Sequence, residues 1–172
     1  SCGRNTPSRA GEKSGACELE KYAYQLGVKQ SRFKGETHGY LLDDTNPFFY
    51  RDYNKCILCG RCVSACNQVQ FVEAINYAHR GFDCKVAAPY DRSLVESACV
   101  FCGQCVASCP TGALMEKSRC RAGREWEFTR TSTICSYCGV GCSLELSVKD
   151  GRIASASSPP ANGVNSGRLC IK

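Results

Sequence analysis

The sequence predicts an α+β fold with two parts, a module built on a repeated cysteine pattern and, after it, a small β unit. Three observations predict this fold. Eight of the 16 cysteines in the 172-residue chain form two runs with identical internal spacing. Three more form a separate run with a different spacing. Between this third run and Cys170, apolar and polar residues alternate on both sides of an Asp-Gly pair, which is the pattern of a β-hairpin.

The composition narrows the class of protein. Cysteine makes up about 9% of the chain, close to the level that marks small secreted disulfide scaffolds. The first residues, however, contain no apolar segment of the kind that a secretion signal requires. Hydrophobic residues make up 43% of the chain, which argues against disorder, and no apolar run is long enough to span a membrane. The formal net charge of +6 leaves nucleic-acid binding to be considered.

The first two cysteine runs are copies of one motif. The run CILCGRCVSAC is followed 43 positions later by CVFCGQCVASC, and both have the spacing C-x2-C-x2-C-x3-C. Thiols this close in sequence cannot all find separate disulfide partners without strain. A structural zinc site uses two separated pairs rather than one run of four. The spacing is that of bacterial ferredoxins, so the two copies predict two 4Fe–4S clusters.

The ligands of the two clusters are predicted to cross between the runs. In two-cluster ferredoxins the fourth cysteine of each run binds the cluster of the other run. The first site is then formed by Cys56, Cys59, Cys62 and Cys109. The second site is formed by Cys99, Cys102, Cys105 and Cys66. Pro110 suits the first turn of a following helix, and Gly60 and Gly103 suit backbone that passes close to inorganic sulfide. The motif resembles the two-cluster ferredoxin family over residues 46–118.

The third run predicts a third cluster on a different scaffold. The letters CSYCGVGC have the spacing C-x2-C-x3-C, and the next cysteine lies far along the chain in GRLCIK. Three near cysteines and one distant cysteine again supply four thiolates for a cubane. The third site is then formed by Cys135, Cys138, Cys142 and Cys170. We expect a β unit that starts near Thr129 and turns at Asp150-Gly151.

The third run and its surroundings resemble the amino-terminal cluster segment of molybdopterin oxidoreductases, among which formate dehydrogenases and assimilatory nitrate reductases are nearest in pattern. The resemblance implies that Lys172 lies between the third cluster and a pterin of a molybdenum or tungsten cofactor, as a relay residue. It also implies that this bis-pterin cofactor is bound by a downstream domain or a partner chain. No catalytic residue is expected within the 172 residues.

The order of the motifs resembles the N-terminal iron–sulfur region of a cytoplasmic molybdopterin-dependent formate dehydrogenase catalytic (alpha) subunit. Ahead of the ferredoxin motif, GACELEKYAYQLGV resembles the helix that follows a His-plus-three-Cys cluster motif, with the helix expected over residues 18–26. Cys17 matches the last cysteine of that motif, and whether Cys2 and Cys17 bind a further cluster stays open. Cys84 and Cys120 are interpreted as structural thiols, and His38 is not expected to be a ligand.

The motifs divide the chain into three segments. Residues 1–45 are expected to be a remnant or truncated His/Cys cluster segment with a helix and a connector. Residues 46–120 are expected to form the two-cluster 4Fe–4S ferredoxin domain, with TGALMEKSR as a short helix near its end. Residues 121–172 are expected to form a molybdopterin oxidoreductase 4Fe–4S domain that is incomplete at its C-terminus.

The predicted function is electron transfer through three 4Fe–4S clusters in a formate dehydrogenase-like oxidoreductase that oxidises formate or reduces carbon dioxide. The expected partners are the pterin-containing domain or subunit and another redox subunit, which could be a ferredoxin, a hydrogenase or an NAD-linked flavoprotein. The alternatives are a stand-alone polyferredoxin carrier and the iron–sulfur part of a hydrogenase or complex I-like enzyme.

Charge and cysteine usage indicate the setting. Each oxidised cluster with its four thiolates carries about −2, so three clusters offset the +6 of the chain and remove the reason to expect nucleic acid as a partner. Clusters and thiols survive poorly in oxidising compartments, which predicts an anaerobic cytoplasm. Arg61 lies inside the first run where the second has Gln104, and its charge predicts a higher reduction potential for the first site.

Overall fold

The computed structural model describes residues 18–28, 33–117, 125–158 and 163–170, and in these ranges it has the predicted α+β architecture. The α-helices of the described residues are all short: α1 Glu18–Gln25, α2 Arg61–Ser64 and α3 Gln104–Ser108. Two pairs of short strands belong to the cysteine-repeat module: β1 Phe49–Arg51, β2 Asn76–Ala78, β3 Lys85–Ala87 and β4 Leu114–Glu116. Three longer strands follow: β5 Thr129–Ile134, β6 Ser143–Lys149 and β7 Arg152–Ser157.

The repeat module has a small apolar core between two antiparallel strand pairs. β1 pairs with β4, and β2 pairs with β3. Large apolar side chains from both pairs and from α2 and α3 fill the space between them, and they include Phe49, Val63, Ile75, Val86, Val106 and Leu114. Cysteines of both runs pack against this core. Because the core is small, the cysteines and whatever they bind form a large part of the interior.

The two copies of the repeat diverge where one has proline and the other asparagine. Pro110 disfavours helical backbone at the residue before it, and Cys109 is extended, with φ −68° and ψ 120°, so α3 ends at Ser108. Asn67 stands at the equivalent place in the first copy, and there the chain continues from α2 into a π-helical turn over Ala65–Val69. The expectation that Pro110 opens a further helix is wrong, because the chain after it turns and enters β4.

The segment TGALMEKSR is a strand in its central part, where a helix was expected. Met115 and Leu114 are buried and lie in β4, in register with Tyr50 and Arg51 of β1. A short apolar segment fits a buried strand as well as a helix by pattern alone. The pairing with β1 decides between them, because it satisfies backbone groups that this buried segment would otherwise leave without hydrogen bonds.

The second part of the chain is a three-stranded antiparallel sheet in the order β5-β6-β7. The third cysteine run forms the connection between β5 and β6. Asp150 and Gly151, with φ of 52° and 73°, form the turn between β6 and β7. Two successive residues with positive φ match the twist of a tight hairpin, so the predicted hairpin is confirmed.

The connector before the repeat module packs onto that module. Asp43 forms an isolated β-bridge with Arg51. The His38 ring stacks on Phe82 with the ring centroids 3.9 Å apart, and its Nε2 lies 2.7 Å from the Phe82 carbonyl oxygen. The predicted helix over 18–26 is present as α1. Among the residues described, none of the helices has the length and apolar character that a membrane crossing requires.

Candidate iron–sulfur centres

The two ferredoxin-like loops follow the same backbone path. Leu58 and Gly60 have φ of 54° and 76°, and Phe101 and Gly103 in the second copy have φ of 56° and 75°. Left-handed backbone at a bulky apolar residue costs energy and is held in place by the surrounding structure, often at functional sites. When left-handed residues alternate with residues of other backbone conformation, successive backbone N–H groups point into one hollow. Such hollows bind anions and are found at iron–sulfur sites. At Gly60 space is a further constraint, because a Cβ would lie 2.6 Å from the Tyr77 hydroxyl oxygen.

Two cavities divide the eight cysteines of the repeat into crossed sets. The first cavity is lined by the four cysteines predicted for the first site, Cys56, Cys59, Cys62 and Cys109. The second is lined by the four predicted for the second site, Cys66, Cys99, Cys102 and Cys105. Cys105, Ile75 and Leu94 line both cavities, so the two are neighbours. The structure therefore brings together each set of four, including the member from the other run.

Burial raises the pKa of several of these thiols. It raises the pKa of Cys62 to about 11 and that of Cys105 to about 12, and neighbouring cysteines add to the shift. Burial also raises the pKa of Cys56 and Cys99, although backbone hydrogen bonds from Leu58 and Phe101 act in the opposite direction. Because thiolate is the form that binds iron, these cysteines release protons when a cluster assembles.

Arg51 provides a test of whether the first cavity suits an anionic cluster. Its side chain lines this cavity and is 8% exposed. Its Nη2 pairs with Asp43 at 2.9 Å, and its Nη1 donates to the Val86 carbonyl at 3.1 Å. Its Nε is buried and has no hydrogen-bond partner among the described residues. A buried donor on a cation beside four thiols fits a group that carries negative charge and sulfide acceptors.

The cysteines are not spaced around a single metal ion. The described residues contain no group of three or more His, Cys, Asp or Glu side chains close enough to hold one ion. A cubane places each thiolate on a different iron, so its ligands lie farther apart than those of a zinc ion. All twelve predicted ligands are thiols rather than disulfides. Four predicted thiolate ligands and apolar walls at each cavity fit a 4Fe–4S cluster, and at the first cavity the buried Arg51 does so as well.

Thr111 holds the chain around Cys109, the ligand that crosses to the first site. Thr111 is 1% exposed, and its hydroxyl donates to the Lys55 carbonyl at 2.9 Å and accepts from the Ala113 N–H at 3.3 Å. The Cys109 sulfur lies 3.3 Å from the Thr111 carbonyl oxygen. Since Lys55 immediately precedes Cys56, this one hydroxyl joins the two ends of the first site. Thr111 cannot be recognised from the sequence, because one threonine after a proline forms no pattern.

The third site is built at one end of the β5-β6-β7 sheet. Cys135 follows the end of β5, and Cys142 immediately precedes β6. The Cys135 N–H donates to the Cys142 carbonyl at 2.8 Å, which closes the loop between the two strands. Cys138 is exposed in the middle of that loop. Three of the four predicted ligands thus come from one short connection that the sheet holds.

Asn165 joins the segment that leads to Cys170 to the beginning of β6. Its Oδ1 accepts from the Ser143 N–H at 3.0 Å, and its Nδ2 donates to the Arg168 carbonyl at 2.7 Å. Gly163, with φ 121°, packs so closely on Ser143 that a Cβ would lie 2.2 Å from the Ser143 hydroxyl oxygen. These contacts fix the turn that leads to Cys170. Neither residue can be recognised from the sequence, since Asn and Gly are common in any turn.

The residues that the sequence singled out besides the twelve cluster ligands lie in different surroundings. Lys172, Cys2, Cys17 and Cys120 lie outside the described residues. Cys84 is partly buried and lines a further cavity that shares Cys56 and Leu58 with the first one. Arg61 is half-exposed and forms an ion pair with Glu18, with Nη1 and Oε2 3.0 Å apart. Gln104 Nε2 donates to the Leu169 carbonyl at 3.2 Å, a contact between the two parts of the chain that the sequence analysis missed.

Comparison with known families agrees with these two parts. Residues 55–113 match the 4Fe-4S dicluster domain, and residues 128–172 match the molybdopterin oxidoreductase Fe4S4 domain. The chain thus resembles a dicluster domain followed by a molybdopterin oxidoreductase Fe4S4 domain. Its fold class is therefore the predicted one, and its general function is iron–sulfur electron transfer.

Relatives of this chain belong to several kinds of oxidoreductase. It is 34% identical over 163 residues to an NADH-quinone oxidoreductase subunit of Rhizobium meliloti. The aligned residues are 94% of this chain and 19% of that protein. It is 27% identical over 197 residues to a Staphylococcus haemolyticus protein named as a candidate formate dehydrogenase, with 92% of this chain and 20% of that protein covered. A crystal structure of an NAD+-reducing [NiFe]-hydrogenase in the H2-reduced state matches with a TM-score of 0.57 and 33% identity, over 66% of this chain and 47% of that one.

The chain spans about a fifth of the length of the curated relatives that it matches. These relatives include an NADH-quinone oxidoreductase subunit and a candidate formate dehydrogenase, so a formate dehydrogenase is not singled out.

Proposed function

We propose that this chain is the iron–sulfur part of a formate dehydrogenase-like oxidoreductase and holds three 4Fe–4S clusters between a pterin metal site and another redox subunit. A bound 4Fe–4S cluster supplies one-electron chemistry at a potential that the protein sets. The observation that carries the proposal is that two adjacent cavities bring together the two crossed sets of four cysteines, and that the Gln104–Leu169 hydrogen bond joins the loop of the second site to the segment of Cys170, the fourth ligand predicted for the third site.

The residues of the chain have three roles in this proposal. The twelve cysteines of the three sites supply the thiolates. Apolar side chains such as Ile75, Val86 and Leu94 exclude water from the first two sites. Arg51 places a buried positive charge beside the first site, which favours the reduced and more negative state of a cluster bound there.

The resemblance in motif order is the reason for proposing formate chemistry. A ferredoxin-type pair followed by CSYCGVGC resembles the front of a formate dehydrogenase, and a relative named as a candidate for that activity matches most of the chain. A hydrogenase or complex I-like enzyme is the second candidate, because the Rhizobium meliloti protein and the hydrogenase structure also match. For formate dehydrogenase we further propose that Lys172 is the relay residue towards a molybdenum or tungsten pterin cofactor.

The proposed protein has segment boundaries that divide the chain into residues 1–45, 46–120 and 121–172. We propose that it acts in an anaerobic cytoplasm. Its redox partner is proposed to be a ferredoxin, a hydrogenase or an NAD-linked flavoprotein.

The test of cluster number and activity uses the natural protein that contains this chain, purified without oxygen. Three cubanes require about 12 iron atoms in this region, whereas two require about eight. We expect about 12 iron atoms, bound molybdenum or tungsten, and reduction of a viologen dye by formate. About eight iron atoms would contradict the third site. Full iron content without formate activity, but with hydrogen- or NADH-dependent dye reduction, would favour the second candidate.

The crossed ligand sets can be tested with paired variants. Cys109→Ser removes a ligand of the first site, and Cys66→Ser removes one of the second. We expect each variant to change the electron paramagnetic resonance signal of a different cluster. The signal that Cys109→Ser changes should be the one that Cys59→Ser also changes. If Cys109→Ser instead alters the same signal as Cys102→Ser, the crossed assignment is wrong.

A further inference from the structure

Arg61 and Gln104 occupy the same position in the two copies of the cysteine repeat. They lie 43 residues apart, and each is followed directly by the third cysteine of its run. Each follows a glycine in left-handed conformation and is the first residue of a helix, α2 for Arg61 and α3 for Gln104. The shared backbone path therefore turns both side chains to equivalent places on the outside of the two loops.

Each of these side chains contacts a segment from outside the repeat. Arg61 Nη1 lies 3.0 Å from the Glu18 carboxylate at the beginning of α1. The Glu18 N–H also donates to the Pro110 carbonyl at 3.1 Å, beside Cys109 of the first site. At the other end of the module, Gln104 Nε2 donates to the Leu169 carbonyl at 3.2 Å. The first copy thus contacts the preceding segment, and the second copy contacts the following one.

The Gln104 contact joins ligands of two different sites. Gln104 is bonded through the backbone to Cys105 of the second site, and Leu169 is bonded through the backbone to Cys170 of the third. One hydrogen bond therefore links two ligand-bearing segments. Gln104 is partly buried, which shields this bond from competition with water. The turn before Leu169 is fixed on its other side by Asn165, so a displacement of Leu169 would also move Cys170 relative to the second site.

The residue types match the groups that they contact. A carbonyl oxygen is neutral and accepts from an amide N–H without a buried net charge, which suits glutamine. A half-exposed carboxylate is matched by a guanidinium, which suits arginine. The difference between the two copies at this position is thus explained by the segments that they face.

We propose that Gln104 is a positioning residue that holds the Cys170 segment of the third site against the loop of the second site. Arg61 has the equivalent role for the segment that begins at Glu18. This inference rests on the proposed function, because fixing the distance between two clusters matters only if both clusters are bound. The Gln104–Leu169 contact itself can be measured without any assay of activity.

Hydrogen–deuterium exchange of the natural protein tests the contact directly. Gln104→Ala removes the donor, and Gln104→Glu keeps the size but cannot donate. Where amide exchange occurs through local opening, the loss of one such hydrogen bond speeds it about three- to tenfold. We expect exchange over residues 163–170 to become faster by this factor in both variants. Gln104→Lys retains an N–H donor and should restore much of the protection. Arg61→Ala is the matched control, which should speed exchange over residues 18–25 and leave residues 163–170 as they are.

Magnetic interaction between reduced clusters is the second readout. We expect Gln104→Glu to weaken the interaction between the second and third clusters while about 12 iron atoms are retained. Exchange and magnetic interaction that are unchanged in both Gln104→Ala and Gln104→Glu would overturn the proposal. If Gln104→Ala loses iron, the iron content of Gln104→Lys decides between the two explanations. Iron that is retained in Gln104→Lys supports a donor role for residue 104, and an equal loss of iron overturns it. An unaltered protein with only about eight iron atoms would contradict the proposed function, while exchange over 163–170 would still judge the contact.

Discussion

Arg51 and Asp43 form a mostly buried ion pair, in which Nη2 and Oδ2 lie 2.9 Å apart and the same two residues form an antiparallel β-bridge. Burial by itself would raise the pKa of Asp43, but hydrogen bonds from Thr45 and Arg51 outweigh it and lower the pKa below the ordinary 3.8. The pair therefore fastens the connector to the wall of the first site.

The first prediction concerns stability and pH. A carboxylate with a lowered pKa stabilises the fold fully above about pH 3.8 and loses that contribution as pH falls through its folded-state pKa. We expect Asp43→Asn to lower the unfolding free energy by about 1–3 kcal/mol at pH 7. The difference from the unaltered protein should shrink as pH falls below 3.8, as followed by circular dichroism. A difference that stays constant down to pH 3 would contradict this account.

The second prediction separates two arginines by their effect on reduction potential. Each arginine is paired with a carboxylate, but Arg51 is buried beside the first site, whereas Arg61 is half-exposed. Exposed charges are screened by water and salt. We expect Arg51→Gln to lower the potential of the first cluster by roughly 30–60 mV, where about 59 mV is a tenfold change for one electron. Arg61→Gln should lower it less.

The control for this titration is Arg51→Lys, which keeps the charge and should leave the potential near that of the unaltered protein. Iron content is measured for every variant, so that a lost cluster is not mistaken for a shifted one. A potential that Arg51→Gln leaves unchanged would contradict the role of the buried charge.

The third prediction concerns Thr111 and the crossing ligand. Thr111→Val is nearly the same size but leaves the Lys55 carbonyl and the Ala113 N–H without their partner. We expect a loss of about 1–3 kcal/mol in stability, and preferential loss of the first cluster on dilution with a chelator. Thr111→Ser retains the hydroxyl and is the matched control. Equal retention of iron by the Val and Ser variants would show that the hydroxyl does not hold Cys109.

The fourth prediction concerns the turn that leads to Cys170, the fourth ligand predicted for the third site. In Gly163→Ala, the new Cβ would lie 2.2 Å from the Ser143 hydroxyl oxygen, and φ is 121°. We expect the turn to move and the iron content to fall by about four atoms, with the other two clusters retained. Gly151→Ala also has positive φ but meets nothing within 4 Å, so it should keep its iron. Full iron content in Gly163→Ala would contradict the requirement for this close packing.

Much of the fold was predictable because its signals are local. The Asp150-Gly151 turn, the strands on both sides of it and α1 all follow from short-range patterns. The strand at Leu114–Glu116 was not predictable in this way. Its apolar letters suit either a helix or a strand, and the choice depends on β1, which lies more than sixty positions earlier.

The sites show the same division. The spacing of the cysteines alone identifies them as cluster ligands, because three thiolates for one cubane must come from a few adjacent residues. The supporting residues Arg51, Thr111, Gln104 and Asn165 have no such local constraint. Each acts on a cysteine or a carbonyl that folding brings near it, so nothing in the neighbouring letters marks it.

The sequence by itself therefore determined the fold class, the iron–sulfur chemistry and the division of cysteines into runs, since these depend on the geometry of a few successive residues. The tertiary structure decided which arginine lies buried beside a site, which hydroxyl holds the chain around Cys109, and that the loop of the second site is joined to the Cys170 segment through Gln104. These are long-range relationships, and only the packing of distant segments establishes them.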